Sequence, residues 1–185
     1  MQRHFTSDQL RAGLDHVRDA PADAGRVELI VRRPAAGERE VLERAELCTE
    51  KGLLGDNWLS RGSRRTDDGS AHPEMQLNLM NARAAQLISG SKELWPLAGD
   101  QFYLDLDLSE ANLPPGTRLH LGEAVIEITA VPHLGCLKFR DRFGADAVAF
   151  VNSDVGKSLH LRGLNAKVIT PGRVSVGDPV AKLAP

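Results

Sequence analysis

A chain of 185 residues, 42% of them hydrophobic, fits one medium domain with a real core, and with aromatics at 4% that core must rest on Leu, Val, Ile and Ala. The formal net charge of −2 argues against a nucleic-acid binder driven by bulk charge. Two cysteines, Cys48 and Cys136, form no C-x-x-C pair and are too few to hold an iron–sulfur cluster unaided. No stretch approaches the roughly 18 apolar residues of a membrane span, and the start Met1-Gln2-Arg3-His4-Phe5 lacks the apolar run of a signal peptide. The expectation is a cytoplasmic, reducing compartment with both thiols free, no membrane and no nucleic acid.

In chain order, Thr6-Ser7-Asp8-Gln9 has the form of a capping box. Leu10, Leu14 and Val17 follow at helical spacing, so residues 1–24 read as an N-terminal helical extension closed by Pro21. From Gly25 the period changes to two: Val27, Leu29 and Val31 alternate with other residues, which predicts a half-buried strand. Pro34 to Gly37 is a turn, and Val41 to Cys48 reads as one return strand, with Cys48 on its apolar face. Residues 57–73 form a long polar loop carrying Arg61, Arg64, Arg65 and His72. Met75 to Met80 alternates again, and Asn81 is placed to cap a helix over Ala82 to Ile88. Beyond it, strands are predicted at Gln101–Leu106, Thr117–Leu121, Ala124–Thr129, Leu159–Leu161, Ala166–Ile169, Val174–Val176 and Val180–Lys182. Short helical turns are predicted at Phe139–Phe143 and Ala145–Val151. Many short strands with glycine turns and few helices predict a mostly β barrel or sandwich, with a core of about residues 27–180 in a single domain over 1–185.

Cys136 stands out chemically. His133 lies three residues before it, and Lys138, Arg140 and Arg142 follow it. Nearby positive charge favours the thiolate, the form that attacks and that binds soft metals. Gly135 lets the chain bend sharply just before it. Against this, a free cysteine is ordinarily a small buried hydrophobe.

The order of motifs decides between the two. Gly52-Leu53-Leu54-Gly55-Asp56 comes first, then Gly99-Asp100-Gln101-Phe102-Tyr103 and Leu113-Pro114-Pro115-Gly116. Pro132-His133-Leu134-Gly135-Cys136 follows, with Arg162-Gly163-Leu164-Asn165 and Gly177-Asp178 closing the series. From Val27 to Val180 it resembles the MOSC domain family, the module named after the C-terminal domain of molybdenum cofactor sulfurases. The resemblance implies a strand-rich barrel whose hallmark cysteine falls on Cys136. In stand-alone relatives the matching cysteine ligates molybdenum held by a pterin dithiolene, and such enzymes reduce N-hydroxylated compounds. In cofactor sulfurases the domain is thought to bind the molybdenum cofactor and receive sulfur.

On that basis the molybdenum cofactor (molybdopterin) is expected and pyridoxal phosphate is not. Cys136 would be the metal ligand, and His133 or His72 a proton donor. Arg61, Arg64, Arg65, Lys138 and Arg162 would contact the cofactor's anionic group, with Asn152 or Asn165 on the pterin edge. The sequence departs from the pattern at Asn57-Trp58, where a histidine is often found after the Gly-Asp pair. Either an oxidoreductase acting on a small molecule with an electron-donor reductase, or a carrier taking a persulfide from a sulfur-donor protein, would use the same cysteine.

Overall fold

The predicted alternation of Val27, Leu29 and Val31 is broken in its middle. Strand β1 (Gly25–Arg32) pairs antiparallel with Phe102–Asp105, and its register shifts between Val27 and Leu29. A bulge moves the following side chains to the opposite face. Val27 and Ile30 therefore enter one core cluster while Leu29 and Val31 enter the other. Both faces of β1 are covered, which corrects the half-buried strand expected from periodicity. The structure, a computed structural model, describes residues 4–184; the Met1-Gln2-Arg3 part of the start lies outside the described residues.

The remaining elements follow in order. The capping box at Thr6 opens α1 (Ser7–Ala12), and Gly13 separates it from α2 (Leu14–Arg18). After β1 come β2 (Glu40–Leu42), β3 (Arg44–Cys48), β4 (Gly52–Leu53) and α3 (Trp58–Arg61). Strand β5 (Leu77–Asn81) leads into α4 (Ala82–Ser89), where the Asn81 side chain accepts from the Arg83 and Ala84 amides as the capping pattern requires. A 3-10 helix (Lys92–Ala98) then delivers β6 (Phe102–Asp105), β7 (Arg118–Leu121) and β8 (Ala124–Ile128). The chain closes with α5 (Leu137–Phe143), α6 (Ala145–Asn152), α7 (Asp154–Ser158), β9 (Leu164–Thr170), β10 (Gly172–Ser175) and β11 (Pro179–Lys182).

Strands pair in the order β11-β7-β8-β9-β5-β6-β1, and β1 returns to β11 at Gly25↔Val180. Among the described residues this closes a seven-stranded barrel, so its sheet has no free edge except where β2 extends β1. The β5–β6 pair is parallel, which is why α4 and the 3-10 helix intervene as a crossover. The interior is aliphatic, as the low aromatic content requires; Leu77, Leu79, Leu104, Leu119 and Ile126 are fully buried there. A second cluster joins α1, α2 and α4–α6 to the barrel's outer face through Leu10, Met80, Tyr103, Phe139 and Phe143.

Three further expectations are corrected. The return strand Val41–Cys48 is two strands, and β3 leaves the barrel for a small sheet with β10 and β4. Leu159–Leu161 is a turn after α7, not a strand, with His160 at a left-handed φ of 46°. The polar loop 57–73 is anchored by α3, whose Trp58 is 4% exposed.

Candidate functional site

The site is assembled where β1 ends, β6 begins, β8 ends and β9 begins. The 3-10 helix Lys92–Ala98 terminates there, capped by Gly99 N donating to Pro96 O (3.2 Å). Four arginines donate to the carbonyls of residues 96–99. Arg39 Nε donates to Pro96 O (3.1 Å), Arg142 Nη1 to Leu97 O (2.6 Å), Arg162 Nη2 to Ala98 O (2.9 Å) and Arg33 Nη1 to Gly99 O (2.9 Å). A run of four consecutive carbonyls thus gathers four guanidiniums from three parts of the chain: the β1–β2 connection (Arg33 and Arg39), α5 (Arg142) and the turn before β9 (Arg162).

Two buried carboxylates answer part of that charge. Arg33 forms a two-pronged pair with Asp56 (both contacts 2.9 Å), and both side chains are almost wholly buried. Arg162 Nη1 donates to Asp100 Oδ2 at 2.7 Å, and Asp100 has no exposed surface. Its guanidinium also lies 4.9 Å from the Phe139 ring centre. Burial alone would push the Asp100 carboxyl up, but the Arg162 charge and then His133 hold it down at about 2. Arg39 is pulled below the ordinary arginine range by burial, then by the charges of Arg142 and Arg33. For Arg61, on α3, burial and then the Arg33 charge act in the same direction. Guanidiniums that repel one another mark a site with positive charge in excess, where an anion is stabilised.

His133 Nε2 sits 3.1 Å from Asp100 Oδ1, close enough to attract but poorly directed, so both atoms remain without a well-formed hydrogen bond. Burial, and then the Arg162 charge, hold the imidazole below its ordinary range, so it is neutral at pH 7. Arg162 Nε is a third buried atom here with no partner.

Residues 129–136 form a strap between β8 and α5, and Thr129 starts it, donating from N to Asn165 O (3.0 Å) and from Oγ1 to Glu74 O (2.7 Å). Asn165 Nδ2 donates to Val131 O (2.9 Å), His133 meets Asp100, and the Asn152 amide grips Gly135 at both ends. Gly135 N donates to Asn152 Oδ1 (2.9 Å), and Asn152 Nδ2 donates to Gly135 O (3.0 Å). A Cβ at Gly135 would lie 2.8 Å from a Val151 methyl and 2.9 Å from a Val148 methyl, so glycine is needed for the close approach. Cys136 follows as the first residue before α5, and its side chain is exposed. Both cysteines are free thiols. Among the described residues, no three His, Cys, Asp or Glu side chains cluster as metal ligands.

The sequence-expected residues divide. Cys136, His133, Arg162 and Asn152 come together around the strap. Arg61, at the surface end of α3, is partly desolvated and electrostatically close to Arg33. Lys138 is exposed on α5. Arg64 and Arg65 are exposed in the loop, and His72 Nδ1 accepts from Glu74 N at 3.3 Å, capping a 3-10 turn. Asn165 Oδ1 accepts from Asn78 Nδ2 at 2.7 Å, within the buried network that also holds Arg33. Sequence reasoning did not assign Arg33 or Arg39 to the site, quoted Asp56 and Asp100 only within the motif series, and took Arg142 only as charge near Cys136. The available signal for Arg33 and Asp100 was a charged residue directly flanking a buried strand: Arg33 after β1 and Asp100 before β6.

These features define a closed β-barrel protein with an arginine-rich, partly uncompensated polar site beside an exposed cysteine. The family model for the MOSC domain matches residues 73–181, more than half the chain, and the chain belongs to that family, which is linked to molybdenum cofactor binding. The match begins beyond β1, so Arg33, Arg39 and Asp56 lie outside it. Among solved structures the chain resembles the YUAD protein from Bacillus subtilis, at 14% identity and a TM-score of 0.64 over 85% of this chain and 94% of that one. It also resembles YiiM from Escherichia coli (23%, TM-score 0.56, 86% of this chain and 70% of that). YiiM from Geobacillus stearothermophilus is similar too (12%, TM-score 0.58, 86% and 75%). At these identities the likeness speaks to fold. A comparison with curated proteins finds no match. Among the described residues no helix is long and apolar enough to cross a membrane.

Proposed function

We propose that this protein is a molybdenum-cofactor enzyme that reduces N-hydroxylated small molecules, with Cys136 as the protein's ligand to the metal. The observation that carries the reading is the strap: an exposed thiol directly after a residue held by two hydrogen bonds and close packing. A fixed ligand needs such rigidity, whereas a persulfide carrier needs reach to donor and acceptor, so the geometry favours the enzyme over the carrier.

The residues fit the cofactor. Its anionic phosphate suits the surplus of guanidiniums among Arg33, Arg39, Arg142 and Arg162, with Arg61 at the edge. When bound, the cofactor would supply a redox metal able to pass two electrons to an N–O bond. Cleaving that bond takes two electrons and two protons and releases water. The electrons would come from a partner reductase, the sequence carrying no flavin, nicotinamide or iron–sulfur signature. His133 is neutral at working pH, and its place on the strap suits it to relay a proton. A reducing cytoplasm would keep Cys136 a thiol.

The test is protein produced in a host that makes the cofactor. The wild type should contain molybdenum and reduce benzamidoxime with reduced viologen as donor. Cys136→Ser should lose at least 100-fold of that rate, on the order of a lost transition-state contact. Arg33→Met and Arg142→Met should lower molybdenum content. Persulfide on Cys136 without reductase activity would instead establish the carrier.

A further inference from the structure

Behind the strap, on the side of residues 110–115 and 156–162, lies a cleft of about 400 Å³. It falls within the size range of small-molecule sites. Leu113, Ile128, Val151 and Leu164 wall it, all of them buried. Val131 and His133 of the strap, and Arg162, complete the inner wall. The exposed Glu110 and Lys157 stand at the rim. None of the carbonyl-bound arginines except Arg162 reaches it, and neither does Cys136.

The charge on this lining cancels. Glu110 and Lys157 are opposite in sign, and Arg162 is paired with Asp100. Unlike the arginine-rich site, the cleft offers no surplus that would select an ion. Its apolar walls favour hydrocarbon surface, each buried methylene contributing about 0.8 kcal/mol. Within the inner wall, Arg162 Nε remains a donor with no acceptor. An unmet buried donor is costly, and a ligand acceptor would relieve it.

We propose that this cleft binds a neutral, mostly apolar small molecule that carries one hydrogen-bond acceptor. It is a second site that shares only Arg162 with the arginine cluster and is formed without Cys136. A molecule seated there would lie against the strap that presents the thiol.

Acetophenone is a suitable probe, being neutral, apolar and equipped with one acceptor. Titrated into the full chain and followed by methyl NMR, it should shift Leu113, Ile128, Val151 and Leu164 saturably, with a Kd of about 1 mM or tighter. Benzoate, benzylammonium and ethylbenzene should each bind at least about tenfold weaker. Val131→Phe, which puts a ring into the cleft, should weaken acetophenone binding by about tenfold or more while far-UV circular dichroism and melting stay unchanged. Cys136→Ser should bind acetophenone like the wild type, so failure of the molybdenum reading and failure of this one are separable. Absent or unsaturable shifts would overturn the proposal. So would benzoate or benzylammonium binding as tightly as acetophenone, ethylbenzene matching it, or a folded Val131→Phe that binds undiminished.

Discussion

Replacing Asp100 by Asn leaves the volume of the side chain almost unchanged and removes one buried negative charge. Arg162, itself 6% exposed, then stays in the interior without its counter-charge. Breaking a buried pair from one side costs about 3–5 kcal/mol, because the remaining ion is neither solvated nor paired. The pH dependence gives an independent magnitude. A carboxyl that titrates near 3.8 when free and at about 2 here contributes roughly 2–3 kcal/mol, at about 1.4 kcal/mol for each tenfold change. The folded value is the lower one, so the contribution is complete above about pH 4 and is lost as the pH falls through 2. Urea unfolding of wild type and Asp100→Asn at pH 7, 5 and 2 reads both quantities. The wild type should be more stable by about 3–5 kcal/mol at pH 7, and that gap should shrink by about 2–3 kcal/mol between pH 5 and 2. Adding Arg162→Met to Asp100→Asn should recover much of the loss, since no charge is then left stranded. A gap under about 1 kcal/mol at pH 7, or one unchanged down to pH 2, would refute the reasoning.

Two more outcomes test the strap. Asn152→Ala removes both hydrogen bonds to Gly135, at about 1 kcal/mol each, and should change the rate at which iodoacetamide alkylates Cys136; an unchanged rate with a loss of about 2 kcal/mol in stability would make Asn152 structural only. His133 is held below its ordinary range, so an unfolded chain binds a proton there before the folded one does. Stability carried by the neutral imidazole is therefore present above about pH 6.5 and falls as the solution is acidified below it, and an NMR titration of the ring should give a midpoint under about 6.5.

Local rules carried much of the fold. Thr6 with Gln9, and Asn81 before Ala82, announce helix starts because a capping side chain acts within three residues of itself. The β7–β8 hairpin was legible from the Gly122-Glu123 turn between two alternating runs. What failed was nonlocal. The bulge in β1 is imposed by pairing with β6, and periodicity, which counts along one strand, carries no trace of it. The division of Val41–Cys48 between two sheets likewise depends on β10, more than 120 residues away in sequence. Of the site, the cysteine and its strap were legible because they are contiguous. Arg33, Arg39 and Arg142 were not, because what unites them is a run of carbonyls that the β1–β2 connection and α5 approach from far away in sequence.

That run of carbonyls also explains why so much positive charge is tolerated. A guanidinium bonded to a neutral carbonyl is held in place without being neutralised, unlike one bonded to a carboxylate. Had Arg39 and Arg142 been met by Asp or Glu, the cluster would be equally ordered and electrically closed. Instead the carboxylates go to Arg33 and Arg162, the two most buried, where an unpaired charge would cost most. Arg39 is half-buried and Arg142 only partly buried, and these two are fixed by carbonyls alone. Their charge remains available to an incoming anion, from positions already set. The closed barrel makes this possible: Arg33 follows β1 and Arg162 precedes β9, two strands of the same closed sheet, so the sheet supplies the alignment that a loop-borne cluster would have to acquire on binding.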